Sequence, residues 1–370
     1  MAAFRHLRLP SYPNAPLPKH PSYAYASRVQ TALQKELLAW KAKPSSSRGP
    51  PPPPTLISFT PTPTYTLGRR QTEPLSEDEA RRLQSPLILS TPGSSRAGSN
   101  DRNEGRKEDE VQARRAFYRP TITHAPRGGL TTYHGPGQLV LWPVIDLHSP
   151  LHEHLSVRDY ACLLEKTTIA TLARLWGLIG LTTENPGVWV RSGAEPTTAA
   201  VAATAATASA SCPSSTRADI ETGRGAGAGP GGDERKIAAL GVHLRRHVTG
   251  LGVAINYSTP VAGPGETNPW GRIVACGLGD RGVTSVCAEL GLGGGADQDA
   301  RVGDQEAVND LAEIWASEFQ SRLRFHKDAA AMMHNTAAKE YDTALPQIEE
   351  VHDSGDDALI EAHPISSLET

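Results

Sequence analysis

Aromatic residues are scarce in this chain, at 5% of 370 positions, and only four cysteines are present. Few aromatics beside 30 prolines and 34 glycines exclude a chain packed throughout, so one globular domain interrupted by loops is expected rather than two full domains. Cys162, Cys212, Cys276 and Cys287 show no CxxC spacing and are too sparse for a secreted disulfide scaffold or a zinc site, which points to a reducing compartment. No charge of either sign dominates: the formal net charge of −3 offers no basic field for neutralising phosphates, so a nucleic-acid binder is excluded. No stretch approaches the ~20 apolar residues that cross a bilayer, and a soluble protein with no membrane partner is expected. HExxH is missing, as is the Gly-Lys-Ser/Thr of a phosphate loop. Gly227, Gly229 and Gly232 meet the GxGxxG spacing only inside a low-complexity tract.

Periodic segments alternate irregularly. Val29, Ala32, Leu33, Leu37 and Trp40 recur at helical spacing and predict a helix over 25–40, stopped at Pro44. β-branched and aromatic runs predict a strand at 55–60 and its continuation at 64–67, and Ser76 with Glu79 forms a capping box for a short helix through Leu83. Residues from about 90 to 115 are polar and without period, an insertion expected to lack structure. Strands are expected at 121–124 and 139–145, and Ser156 with Asp159 caps a helix that Gly177 ends. Strands at 187–190 and 236–242 read as a hairpin swollen by an alanine, threonine and glycine tract at about 192–233. Loop closure costs only about 0.6 kcal/mol per doubling of length, so the hairpin survives such an insertion. Further strands are expected at 251–256 and 273–277. Val308, Leu311, Trp315, Phe319 and Leu323 predict a last helix over 306–325. Residues 1–325 therefore read as one interrupted domain and 326–370 as a disordered polar tail. The irregular alternation favours an α+β fold, a mixed sheet with helices on one face, over a doubly wound one.

One run stands apart: Arg127-Gly128-Gly129-Leu130-Thr131-Thr132-Tyr133-His134-Gly135-Pro136-Gly137-Gln138, leading into an apolar strand. Its glycines allow backbone to approach a ligand, and the strand holds that backbone still. Cys276 follows a short apolar run and precedes a glycine, so a strand end would present its thiol to a cleft. A thiol attacks only as thiolate, and with an unperturbed pKa of ~8.5 it needs a cation or base beside it. Lys236, opening an apolar strand, is the candidate. The alternative readings stay open at this level, an inert buried cysteine and a lysine that reaches water. His148, His152 and His154, or His243 and His247 on one strand face, form clusters that read as solvated surface before metal ligands. Cys162 and Cys287 read as packing residues, and Cys212 lies in the low-complexity tract.

The glycine run, together with Lys236-Ile237-Ala238-Ala239-Leu240-Gly241 and Ala275-Cys276-Gly277, resembles the lipoyl(octanoyl) transferases. Residues 63–68 and 186–190 resemble further pieces of that family in the same order. The resemblance implies a fold like the biotin and lipoate protein ligase catalytic domain, and transfer of an octanoyl group from octanoyl-acyl carrier protein to a lysine of lipoyl domains or of the glycine cleavage H protein. It implies Cys276 as the acyl-thioester nucleophile and Lys236 as the residue that lowers its pKa or acts as base. Arg127, Gly128, Gly129, Leu130, Thr131, Thr132, Tyr133 and His134, with Ala239, Leu240, Gly241, Gly252, Val253 and Ala254, would line the acyl chain. No metal or other cofactor is implied. Relatives from eukaryotes work in mitochondria, and an N-terminus without acids before Glu36 fits a matrix protein. Two positions depart from the family: Leu251 stands where many relatives have histidine, and Ala275 where proline is common. Two other readings compete, an ATP-dependent lipoate or biotin ligase of the same fold and a catalytically silent protein that holds lipoyl domains.

Overall fold

The computed structural model describes residues 4–11, 19–91, 114–191, 234–273, 282–292, 305–329 and 359–364. In chain order the strands are β1 (Arg5–Arg8), β2 (Thr55–Phe59), β3 (Thr64–Leu67), β4 (Leu87–Thr91), β5 (Arg114–Tyr118) and β6 (Thr121–His124), then β7 (Thr132–His134), β8 (Gln138–Val144), β9 (Gly187–Arg191), β10 (Glu234–Arg245), β11 (Val248–Asn256) and β12 (Leu359–Pro364). The helices are α1 (Tyr23–Ala42), α2 (Glu77–Leu83), α3 (Val157–Trp176), the single turn α4 (Val286–Glu289) and α5 (Gln305–Arg322).

A six-stranded sheet in the order β1-β2-β8-β11-β10-β9 forms the frame; β1 runs parallel to β2 and every other neighbour is antiparallel. Strand β8 shows why it needs cover on both sides. Leu139 and Leu141 join the core beneath α3 and α5, while Val140, Trp142 and Val144 join the core beneath α1. Helices therefore flank both faces of the mixed sheet, not one as the sequence suggested, because β8 is apolar on both sides.

Local rules explain the helices. The Ser22 side chain accepts the Tyr25 amide at the start of α1, and Ala26, Val29, Leu33 and Leu37 form its buried stripe. Its far end is tied by Lys41 to the buried Asp146 at 2.6 Å. In α3, Ser156 and Asp159 form a capping box, and Gly177 ends the helix at φ 67°, a left-handed conformation that glycine adopts without a side-chain clash. Replacing Ser156 with alanine is expected to cost about 1 kcal/mol, read as a lower urea midpoint at unchanged slope. Helix α5 packs on α3, where the Trp315 indole donates to Thr168 Oγ1 at 3.0 Å. Cys162 lies half-buried on α3. Cys287 is half-buried and packed against the core.

Two three-stranded sheets complete the fold, β6-β3-β7 and β12-β5-β4. The expected continuation of β2 into β3 does not occur. Pro61 and Pro63 intervene, neither with an amide proton for a ladder, and β3 leaves for another sheet. Strands β4 and β5 pair from Leu87↔Tyr118 to Thr91↔Arg114, and β9 pairs with β10 up to Arg191↔Glu234. Each expected insertion thus departs from and returns to adjacent strand ends, while residues 92–113 and 192–233, with Cys212, lie outside the described residues. So do residues 274–277 of the expected strand at 273–277. Within the polar tail, Leu359–Pro364 forms a strand paired with β5.

Candidate active site

The glycine run is organised by Arg127 and by strand alternation. Arg127 is buried; its Nη1 donates to the carbonyls of Gly128 and Leu130 at 3.0 and 2.9 Å, and its Nη2 donates to the carbonyl and hydroxyl of Thr66, both at 2.7 Å. The guanidinium thus fastens the loop 128–130 to β3. Strand β7 then turns Thr132 and His134 to one side and Tyr133 to the other, where Tyr133 packs on Tyr65 and Trp270. Gly137, at φ 82°, closes the turn into β8, and its carbonyl accepts the amides of Tyr257 and Ser258. An added Cβ there would lie 2.7 Å from the Thr259 nitrogen, so a side chain has no room.

A cleft of about 390 Å³, open mouth included, lies where β10 runs past the end of β9. Ala239, Leu240 and Gly241 of β10 and Leu251, Gly252, Val253 and Ala254 of β11 form one side; Arg127, Thr132 and His134 face them, with Tyr23 and Trp142 across one end. Gly241 allows this closeness, since a Cβ there would sit 2.7 Å from Arg127 Cδ. The surface is apolar apart from Arg127, Thr132, His134 and the phenol of Tyr23, as a pocket for an alkyl chain with a reactive polar head requires. Thr132 Oγ1 is buried with no hydrogen-bond partner among the described residues. His134 stacks on Tyr23 at 5.4 Å, and burial pushes its pKa down to about 4, so the ring is neutral at pH 7.

Of the residues expected to line an acyl chain, Gly128, Gly129, Leu130, Thr131 and Tyr133 do not line this cleft. The carbonyls of Gly128, Gly129 and Leu130 are held by Arg127 and by the Arg70 amide, and Tyr133 belongs to the neighbouring core.

Lys236 lies on β10 beside a bulge between Lys236 and Ala238. Only 7% exposed, it donates from Nζ to the Pro186 carbonyl at 3.2 Å and sits 4.6 Å above the Trp189 ring. Glu165 lies near enough to feel the ammonium; burial raises its pKa, opposed by the Gly187 amide and by Lys236. The Lys236 amide donates to the Gly282 carbonyl, and its own carbonyl accepts the Thr284 amide. Gly282 resumes the described chain after residues 274–281. Cys276 lies within that gap, outside the described residues.

The family model of the lipoyl protein ligase A/B catalytic domain matches residues 98–302. The octanoyltransferase of Pseudarthrobacter chlorophenolicus is 30% identical over 215 residues, covering 58% of this chain and 69% of that protein. The chain belongs to the octanoyltransferase family. Two further relatives are a probable octanoyltransferase of Schizosaccharomyces pombe, 32% identical over 49% of this chain and 60% of its own length, and the mitochondrial octanoyl-(acyl-carrier-protein):protein N-octanoyltransferase of Xenopus tropicalis, 33% identical over 50% and 56%. The chain thus spans less than two thirds of the length of both.

Several cleft residues carried no local signal in the sequence. Tyr23 and Trp142 reach the cleft from α1 and β8, and only the folded sheet brings them to β7. Leu251, noted for departing from its family, lines the cleft in a left-handed conformation at φ 60°, its amide donating to Gln30 Oε1 of α1 at 2.6 Å. The histidines lie elsewhere: His148 stacks with His154 and His247 at 5.0 and 3.9 Å, and His247 sits in the β10–β11 turn, off the strand face it was expected to share with His243. Among the described residues no group of three or more His, Cys, Asp or Glu is arranged to hold a metal ion.

Proposed function

We propose that this chain moves an octanoyl group from octanoyl-acyl carrier protein to the ε-amine of a lysine in a lipoyl domain, with Cys276 carrying the acyl group as a thioester and Lys236 lowering the thiol pKa. The observation that carries this reading is the cleft: two stretches of adjacent strands, 239–241 and 252–254, meet Arg127, Thr132 and His134 of the glycine run around one largely apolar space. Lys236 supports it, since a buried ammonium is costly and needs a purpose. Its amide is bonded to the carbonyl of Gly282, which is six residues along the chain from Cys276. Thioester exchange is nearly isoenergetic and passage of the acyl group to an amine runs downhill, so the reaction requires no nucleotide.

Acceptors on this reading are lipoyl domains of dehydrogenase complexes and the glycine cleavage H protein. The names of the Xenopus tropicalis and Danio rerio relatives include mitochondrial, which favours that compartment, and the matrix is the site proposed here. The test is intact-mass measurement after mixing with octanoyl-acyl carrier protein in the absence of ATP. Wild type is expected to gain one hydroxylamine-labile octanoyl group, and Cys276→Ala none. Active transfer with wild type unmodified throughout would exclude the covalent route, and dependence on ATP would make the chain a ligase.

A further inference from the structure

A buried series of hydrogen bonds decides how His134 faces the cleft. It begins at the Thr284 backbone carbonyl, which can only accept, so the Asn256 atom 3.0 Å away is Nδ2. Asn256 Oδ1 is thereby turned toward Gln138, whose Nε2 donates to it at 2.9 Å and also faces the Tyr133 carbonyl at 3.4 Å. Gln138 Oε1 is left facing His134 Nδ1 at 2.7 Å, so Nδ1 carries the proton. A neutral imidazole protonated at Nδ1 has a lone pair at Nε2. That nitrogen makes no hydrogen bond among the described residues, and His134 lines the cleft.

The surroundings keep the ring neutral. Burial is the main cause of its lowered pKa; the bond to Gln138 opposes it, and the Arg127 guanidinium adds to it. From α1, burial raises the pKa of the stacked Tyr23, which stays an uncharged phenol.

An alkyl chain and a thioester carbonyl offer no proton to such an acceptor, whereas an attacking amine does. Resting on the function proposed above, we infer that His134 Nε2 accepts an N–H of the acceptor lysine as its amine attacks the thioester, with Gln138 and Asn256 as positioning residues that hold this tautomer. The amine nitrogen bonds to the carbonyl carbon, the carbon–sulfur bond breaks with its electron pair leaving on sulfur, and the proton shed by nitrogen passes through Nε2 to that thiolate. An amide and a free thiol result.

Two measurements test this. In imidazole nitrogen-15 NMR of the wild type, the His134 signals, identified by their loss in His134→Gln, are expected to show Nδ1 protonated and Nε2 bare from pH 6 to 8. A proton on Nε2, or an imidazolium at pH 7, overturns the inference whatever the enzyme does. In Gln138→Glu, a carboxylate beside Nδ1 raises the imidazole pKa by about 1–3 units, so Nε2 is protonated and blocked at acid pH. The variant-to-wild-type ratio of amine transfer is then expected to fall about 10-fold at pH 5.5 and to recover by pH 8.5, while the ratio for thiol acylation by octanoyl-acyl carrier protein stays flat. A flat amine-transfer ratio, or a loss confined to acylation, overturns the inference. Failure of the wild type to acylate at all counts against the proposed function and leaves the tautomer result standing.

Discussion

Lys236→Met is expected to slow acylation of the thiol by about 10²- to 10⁴-fold, the range associated with losing a positioned acid–base group, while leaving the fold in place. Methionine keeps the length and much of the volume of the stem, and volume-conserving exchanges usually cost under about 1.5 kcal/mol. What it removes is the ammonium, held between the Pro186 carbonyl, the face of Trp189 and the nearby Glu165. With that cation gone, nothing of like sign at this position favours the thiolate, so the pH midpoint of thiol alkylation should move upward. Glu165 offers an internal check. Lys236 is one of the two influences holding its carboxyl down against burial, so its pKa should rise further in the variant. An unchanged alkylation midpoint beside a raised Glu165 pKa would show that the cation is felt by Glu165 and not by the thiol, and the proposed dyad would fall.

How much of this architecture is legible in the sequence depends on the range of the interaction. The capping boxes at Ser76–Glu79 and Ser156–Asp159 span three residues, and helices α2 and α3 begin where those residues say. The stripe Val308, Leu311, Trp315 and Phe319 names its own helix in the same way. Strands β1, β4, β5 and β12 are short and owe their existence to partners far along the chain; Arg5–Arg8, for example, becomes a strand only beside Thr55–Ser58. Nor does one strand's pattern reveal how many layers cover it. The continuous apolar run of β8 fits a strand buried on both faces, yet only the arrival of α1 shows what lies on the second.

The same distinction divides the candidate site. Arg127, Thr132 and His134 belong to one local motif, and their place on the cleft follows from the alternation of a three-residue strand. Tyr133, read with them, points the other way for that very reason. Gln138 was visible within the motif, but its task depends on Asn256, 118 residues later, and Asn256 in turn on Thr284. No local pattern can announce such a series.

The second large effect is expected at Arg127, through structure and not charge. Arg127→Lys retains the positive charge and an aliphatic stem across Gly241, but an ammonium cannot reproduce the planar fork that serves the Gly128, Leu130 and Thr66 carbonyls together with the Thr66 hydroxyl. Hydrogen bonds from a charged donor contribute about 1.5–3 kcal/mol each, and a buried carbonyl left without a partner costs about 1–3 kcal/mol. Losing two of the four should therefore destabilise the fold by about 3–6 kcal/mol, read as a lower urea midpoint with an unchanged slope. The loop 128–130 should then be cut by proteases at a rate well above that of the wild type, because its tie to β3 is gone. Gly241→Ala provides the contrast: its new methyl meets the Arg127 stem, 2.7 Å from Cδ and 3.3 Å from Cβ, so the stem must give and the cleft narrows, while the guanidinium and all its donors are retained. If Arg127→Lys unfolds at the wild-type midpoint and Gly241→Ala does not, the stem and not the fork holds the glycine run, and the cleft wall depends on packing across β10 instead of on its bonds to β3.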